Sequence, residues 1–193
     1  MTTHRSSSLV AIAALALTLL LPTAAYADDA TEVDVPTAPD TLTAEQMEAL
    51  DDGGLDLEIA GPDTTPPQGR PSERAASSRC LFTAGIMWSR ASGSGYASGT
   101  VGSKPKLHSC TSDVRKTGIN SDVYRWNGWG WNKVAGTFNS YGTGNMQQKS
   151  VQYICKGKSS QSYKVVTTAW GTNNKGWTAV HQGSTPVFKH TCG

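Results

Sequence analysis

The stretch Asp122–Val134 reads Asp-Val-Tyr-Arg-Trp-Asn-Gly-Trp-Gly-Trp-Asn-Lys-Val and carries the clearest fold signal in the chain. It contains the chain's one Asn-Gly pair, Asn127-Gly128, between two runs whose residues alternate by twos. A two-residue type I′ turn needs positive φ at both central positions, and Asn-Gly meets this need best. The stretch therefore predicts a β-hairpin, and we expect the folded domain to be built against it.

A two-residue turn also determines which residues face each other across the hairpin. The cross-strand pairs that it predicts are Trp126 with Trp129, Tyr124 with Trp131, and Asp122 with Lys133. The last pair would be an ion pair, and the four aromatic rings would share one face of the hairpin.

Residues 1–27 have the features of a secretory signal peptide. Arg5 supplies a basic start, residues 9–21 are apolar apart from Thr18, and Ala25-Tyr26-Ala27 is a small-x-small cleavage site. This apolar run is too short to cross a bilayer core, which takes roughly 20 residues. We therefore expect cleavage after Ala27, secretion to the extracellular space, and no membrane span in the mature protein.

Residues 28–79 form an acidic segment with 13 Asp/Glu, three Arg and no Cys, Trp or Phe. A segment of this composition buries too little apolar surface to offset its ordering entropy, so mostly disorder is expected. One exception is a short helix, for which Thr43 and Gln46 supply a capping-box pattern and Gly53-Gly54 an end. Such a helix would persist only if its apolar face, which includes Met47, docked on something.

Residues 80–193 reverse the charge, with 13 Lys/Arg and two acids, Asp113 and Asp122. Net charges of −10 and +11 on consecutive segments suggest that the acidic segment screens the basic domain before or during secretion, which would make it a propeptide. The alternative is a solubilising tail without specific docking. Arg74 and Arg79 are the natural processing points if the segment is removed.

The basic domain is predicted to be all-β, because no stretch shows sustained helical periodicity and turn signals recur every 8–15 residues. The predicted strands are Cys80–Ser89, Tyr96–Val101, Lys106–Cys110, Ser121–Trp126, Trp129–Gly136, Lys149–Lys156, Ser162–Trp170, Trp177–His181 and Pro186–Cys192. The expected buried faces are Phe82, Ile86 and Trp88; Val151, Tyr153 and Cys155; and Tyr163, Val165 and Ala169. The architecture expected is an antiparallel β-sandwich or small barrel.

Four cysteines, Cys80, Cys110, Cys155 and Cys192, favour disulfides over a metal site, because the chain is expected to be exported and contains no Cys-x-x-Cys. Three pairings are possible. We favour Cys80–Cys110 and Cys155–Cys192, since each would join the first and last strand of one half of the domain. Each would stabilise the fold by about 3.5–4 kcal/mol, which does not distinguish this pairing from the others.

The pattern Ser109-Cys110-Thr111-Ser112, the tryptophan-rich hairpin, Tyr153-x-Cys155-x-Gly157, Tyr163 and Thr191-Cys192 resembles small secreted proteins of actinomycetes. These largely uncharacterised proteins have four cysteines and a predicted β-sandwich. The resemblance covers roughly residues 80–193. It implies an all-β, disulfide-linked, exported protein, and it implies no activity and no functional residue.

Candidate catalytic residues are few. His181 and His190 lie on neighbouring predicted strands, and two histidines with a lysine could support metal-independent ribonuclease chemistry. Both histidines could equally be ordinary surface residues. A glycosidase pair would have to be Asp113 and Asp122, of which Asp122 is already opposite Lys133. No serine-hydrolase elbow, P-loop or metal-ligand spacing occurs, so we expect no cofactor and no metal.

The remaining signal is a cationic surface with interleaved aromatic residues, which favours binding over catalysis. We expect a non-enzymatic secreted protein that binds cell-wall or other extracellular polyanions or glycans. The predicted binding residues are Tyr124, Arg125, Trp126, Trp129, Trp131 and Lys133. The alternatives are that these rings are core residues, that the protein is a ribonuclease-like hydrolase, or that it is a toxin or inhibitor masked by its acidic leader.

Overall fold

The computed structural model describes residues 35–50, 54–61, 78–91, 99–155 and 157–192. The predicted signal peptide and Arg74 lie outside these residues. The chain divides into a unit of residues 1–32 and a compact unit of residues 33–193, and every described residue belongs to the second unit. No helix within the described ranges has the length and apolarity that a membrane span requires.

The described residues form thirteen strands and one short helix, α1, at Ala44–Glu48. The strands are β1 Thr41–Leu42, β2 Gly54–Ile59, β3 Ser78–Thr83, β4 Trp88–Arg90, β5 Thr100–Gly102, β6 Lys106–His108, β7 Val114–Trp126, β8 Trp131–Gly142, β9 Met146–Gln147, β10 Gln152–Ile154, β11 Ser160–Asn173, β12 Thr178–Ser184 and β13 Phe188–Thr191. Each of the nine predicted strands overlaps at least one of them.

These strands pair into three antiparallel sheets. The large sheet has the order β1-β8-β7-β11, and β12 and β13 both pair with the far edge of β11. The two smaller sheets have the orders β10-β5-β4 and β2-β3-β6-β9. The prediction of an all-β, antiparallel, disulfide-linked fold is confirmed.

The centre of the fold is β11, which pairs with β7 along eleven residues from Tyr163 to Asn173. Its β-branched residues suit a pleated surface, and residues 163–171 are all buried. A strand buried throughout lies against covering elements on both faces of its sheet.

The two smaller sheets cover one face of the large sheet. Tyr163 and Val165 pack with β5 and β10 residues in one apolar cluster, and Ala169 packs with β2, β3 and β6 in another. Between the two clusters, the buried Gln148 accepts a hydrogen bond from Ser121 Oγ at 2.6 Å. The buried faces predicted for β10 and β11 are confirmed.

The expected burial of Ile86 is wrong, since its side chain is 82% exposed. The strand predicted over Cys80–Ser89 is divided into β3 and β4, and Gly85 between them has φ +83°. A positive φ ends the regular alternation of side chains, so the inward face of β3 does not continue to Ile86.

Part of the other face of the large sheet is covered by residues 35–50, which we call the N-terminal arm. Helix α1 has the predicted capping box, with Thr43 and Gln46 bonded reciprocally. Met47 is 1% exposed and packs in a cluster with Tyr124 and Trp131. The sequence predicted that this helix would persist only if its apolar face docked, and the burial of Met47 meets that condition.

A second described part of the acidic segment is also ordered. All six residues of β2 pair with β3, and Leu57 and Ile59 are buried while Asp56 and Glu58, which alternate with them, are exposed. The folded domain thus includes residues that precede Cys80. The average composition of residues 28–79 conceals this short alternating run, which is a strand signal in its own right.

Disulfides join Cys80 to Cys110 and Cys155 to Cys192, with Cα–Cα distances of 4.0 and 5.3 Å. The favoured pairing is confirmed. The Cys80–Cys110 disulfide belongs to the apolar cluster that includes β3 residues, and the Cys155–Cys192 disulfide belongs to the cluster that includes the β10 residue Tyr153. Both lie within residues 80–192, so the N-terminal arm and β2 are held by non-covalent contacts and by the continuity of the chain.

Replacing Ile59, which is 1% exposed, should show whether the acidic segment belongs to the core. We expect Ile59→Ala to lower the free energy of unfolding by about 2–4 kcal/mol, because it leaves a cavity beside Leu57 and Gly171. The control Val187→Ala, at a side chain 52% exposed, should change it by about 0.5 kcal/mol or less. Urea denaturation of both variants measures the difference, and equal effects would contradict this role for Ile59.

Candidate functional site

The tryptophan-rich hairpin forms, but its predicted two-residue turn is wrong. β7 ends at Trp126 and β8 begins at Trp131, so the loop has four residues. Asn127 Oδ1 accepts hydrogen bonds from the backbone N–H groups of Trp129 and Gly130, both at 2.9 Å. Of the loop residues only Gly128 has positive φ, whereas a type I′ turn needs two. The Asn127 side chain thus stabilises a wider loop.

The wider loop shifts the register by two residues. Trp126 pairs with Trp131 instead of Trp129, and Tyr124 pairs with Lys133 instead of Trp131. Because side chains alternate with a period of two, this shift leaves each ladder residue on its predicted face. It removes Trp129 from the ladder and places it at the loop.

The predicted binding residues are therefore divided between core and surface. Tyr124 and Trp131 are 0% and 6% exposed and pack beneath the N-terminal arm, so the core alternative holds for these two rings. Trp126 is half-buried, with its ring centroid 5.5 Å from that of Trp131. Trp129 is 92% exposed, and Arg125 is partly exposed.

Lys133 makes several polar contacts on the surface that the N-terminal arm covers. Its Nζ donates a hydrogen bond to the carbonyl of Ala38 at 2.8 Å and lies 3.4 Å from the Asp40 carboxylate. It also lies 3.6 Å from Asp122 Oδ1, which confirms the predicted ion pair in spite of the shifted register. Its backbone N–H donates to Asp40 O at 2.8 Å.

The Asp122 carboxyl is buried at an irregularity of the β7–β8 ladder, and burial raises its pKa above the ordinary value of 3.8. Lys133 opposes this rise by its positive charge. A Cβ at Gly136 would lie 1.9 Å from Asp122 Oδ1, so glycine is required there for the carboxyl to fit. Asp122 therefore serves the structure, as the sequence suggested.

The two candidate catalytic histidines do not meet. His181 on β12 pairs with Ala169, and His190 on β13 pairs with Gln161, along the same edge of β11. Eight residues of extended strand separate these partners by about 26 Å. The expectation that the two histidines lie on adjacent strands is wrong, because both strands pair with β11 end to end.

The two carboxylates of the basic domain are also apart. Asp113 immediately precedes β7 and Asp122 lies nine residues further along it, roughly 25–30 Å in an extended strand, whereas glycosidase carboxylates are about 5–10 Å apart. Asp113 accepts a hydrogen bond from Ser78 Oγ, which holds the pKa of this carboxyl below 3.8. Ser78 in turn accepts from Asn173 Nδ2 at 2.9 Å. This is a structural network between β3 and the end of β11.

Among the described residues one group could in principle supply three metal ligands, namely Cys155, His190 and Cys192. Its two sulfurs are bonded to each other, so neither is a thiolate that could bind a metal ion. A cleft of about 370 Å³ lies elsewhere, beside Cys110, and Arg115 is the one charged residue that lines it. Neither place combines a nucleophile with a base.

Three lysines lie on neighbouring segments that lead from one of the smaller sheets to the other. Lys106 pairs with Gln147, and the N–H of Gln148 donates to Pro105 O at 2.9 Å, so Lys104 and Lys149 are the next residues beyond this pairing on the two segments. All three lysines are exposed, and we call them the lysine seam. No acid occurs in residues 82–87 or 146–151, which flank the seam. The sequence alone does not group these lysines, since their proximity arises from pairing between segments far apart in the chain.

Known proteins give no match to this chain, whether compared with family models, curated proteins or solved structures. The likeness to small secreted actinomycete proteins therefore stays a prediction.

The raised pKa of Asp122 has a consequence for stability. Between 3.8 and the higher pKa of the folded state, the folded protein binds more protons than the unfolded chain, so its stability falls as pH rises. The Asp122→Asn variant lacks this titrating carboxyl. We therefore expect the free energy of unfolding of the wild type to fall relative to that of the variant as pH rises through this window. Denaturation at a series of pH values measures the difference, and parallel curves would contradict a raised pKa.

Proposed function

We propose that this chain is a secreted, non-enzymatic protein that binds polyanions or anionic glycans of the cell envelope or extracellular space. The observation that supports this proposal is that both carboxylates of the basic domain have partners within the folded chain. Asp113 accepts a hydrogen bond from Ser78, and Asp122 forms an ion pair with Lys133. Among the described residues of this domain, Arg115 is the exposed cation whose charge acts on Asp113, and most of the other exposed cations lie far along the chain from both carboxylates. Such a surface attracts anions.

The lysine seam supplies three exposed cations on neighbouring segments. Like charges on neighbouring segments repel one another, and a bound anion would relieve that repulsion. Phosphate-rich polymers such as teichoic-type chains present repeated negative charges to such a seam. Lysine binds phosphate as a point charge, without demanding one base sequence or one sugar.

Trp129 supplies an apolar contact of a different kind. Its indole is 92% exposed on a loop held by two hydrogen bonds to Asn127 Oδ1, with Arg125 close by in sequence. An indole face on an ordered loop can stack on a sugar ring with little loss of conformational freedom. This position suits a glycan whose charged groups reach other cations of the domain.

Export supports the same proposal. The signal-peptide pattern of residues 1–27 directs a chain out of the cell, and disulfides persist in oxidising compartments. The hydrolase alternative is not favoured, because His181 and His190 are about 26 Å apart along β11. No specific contact favours a toxin or an inhibitor.

The lysine seam can be tested with the mature chain on immobilised polyphosphate and heparin. We expect Lys104→Gln/Lys106→Gln/Lys149→Gln to reduce the slope of log affinity against log salt by about 2–3, since each lost contact removes nearly one released counterion. The matched control Lys116→Gln/Lys158→Gln/Lys189→Gln removes the same charge from exposed lysines outside the seam. If both triple variants lose affinity equally, net charge and not the seam governs binding.

The loop tryptophan can be tested with purified cell-wall glycan. We expect Trp129→Ala to weaken binding about fivefold or more, as loss of one stacking ring does, with an unchanged melting temperature. The control Tyr141→Ala removes a ring that is 67% exposed at the other end of β8. Pull-down titrations give both affinities, and undiminished binding of Trp129→Ala would exclude this loop from the site.

A further inference from the structure

The N-terminal arm lies on the large sheet in the manner of a bound peptide. Thr41 and Leu42 pair with Asn132 and Trp131 at the edge of β8, which adds a short strand to the sheet. Before them, the N–H of Lys133 donates to Asp40 O at 2.8 Å, and the hydroxyl of Tyr124 donates to Pro39 O. Strand addition of this kind is a common way in which proteins recognise extended peptides.

Alternate arm residues make the side-chain contacts. Ala38 and Leu42 are 7% and 8% exposed and pack against Tyr124 and Trp131. Asp40 lies between them and reaches Lys133 at 3.4 Å, although its side chain is 94% exposed. Positions 38, 40 and 42 follow the period of two of a strand, so a small residue, a carboxylate and a leucine contact the surface beneath the arm in turn.

Without the arm, the groups that hold it would lose their protein partners and would be exposed to water. The Lys133 ammonium would lose the Ala38 carbonyl and the Asp40 carboxylate, and Tyr124 would lose its acceptor. Asp122, 3.6 Å from the ammonium, would still hold Lys133 in place. Such an uncovered surface, with a prepositioned cation and an unpaired strand edge, favours another occupant.

No disulfide retains the arm. Both disulfides lie within residues 80–192, and the arm contributes only two residues to the large sheet. An extended peptide with the same three side chains could therefore compete for the surface. How well such a peptide competes depends on the effective concentration of the arm, which its covalent connection to the rest of the chain determines.

We propose that Tyr124, Trp131, Lys133 and the adjoining edge of β8 form a peptide-binding groove, which we call the arm groove. Its ligand is an extended acidic segment of a partner protein with the order small, x, acidic, x, leucine. The N-terminal arm is the internal ligand that keeps the groove closed. This inference uses different residues from the lysine seam and Trp129 and does not depend on polyanion binding.

The test uses the mature chain and a fluorescein-labelled peptide of residues 35–50, with affinity measured by fluorescence anisotropy. We expect Asp40→Ala/Leu42→Ala, which loosens the tethered arm, to bind the peptide at least about tenfold more tightly than the wild type does. Asp40→Ala alone should give an intermediate affinity. Because the Asp40 side chain is exposed, this substitution should not unfold the protein, so unfolding would not explain a change in affinity. Glu48→Ala, at an exposed position of α1, should behave as the wild type.

Specificity is tested with altered peptides and with Lys133. A peptide carrying Asp40→Asn should bind the loosened variant about fivefold more weakly, the upper range for an exposed ion pair. Adding Lys133→Glu to the loosened variant should abolish binding of the unaltered peptide. Far-UV circular dichroism and a non-reducing peptide map establish that each variant is folded.

Three outcomes would overturn the inference. The first is that folded Asp40→Ala and Asp40→Ala/Leu42→Ala both fail to bind the peptide. The second is that a peptide altered at both Asp40 and Leu42 binds as well as the original. The third is wild-type dimerisation, seen by light scattering and lost in Asp40→Ala/Leu42→Ala, which would assign the arm groove to a second copy of this chain.

Discussion

The burial of β11 on both faces is the constraint from which most of the architecture follows. Residues 163–171 have almost no contact with water, so the large sheet must be covered twice. The two smaller sheets and their disulfides cover one face, and the N-terminal arm covers part of the other. The described parts of the acidic segment, residues 35–50 and 54–61, thereby belong to the same fold as the basic domain, which the average composition of the segment does not predict.

The hairpin shows how a local interaction can change a register without changing a face. Asn127 bonds to two backbone N–H groups and widens the loop, and the resulting shift of two residues keeps Tyr124 and Trp131 pointing inward. Trp129 alone changes its environment, from a predicted ladder position to an exposed loop. A shift of one residue would have turned the whole set to the opposite face.

Charge divides the molecule into structural and available groups. Asp113, Asp122 and Lys133 are each bonded to another part of the chain, so they stabilise contacts between elements. The lysine seam has no acid in the strands beside it, which is why binding is proposed there and not at the buried rings. The two surfaces proposed to bind a polyanion and an extended peptide thus consist of separate residues.

The sequence by itself determined the all-β class, most strand positions and the capping box of the helix, because these depend on local pattern. It favoured the disulfide pairing and the Asp122–Lys133 ion pair among a few alternatives, and the structure decided both. Only the tertiary structure decided the separation of His181 from His190, the grouping of the lysine seam, and the burial of Tyr124 and Trp131 beneath the arm. The physical reason is that strand order and the covering of sheet faces depend on contacts between residues far apart in the chain. Alternation shows which side chains share a face, but it does not show what lies against that face.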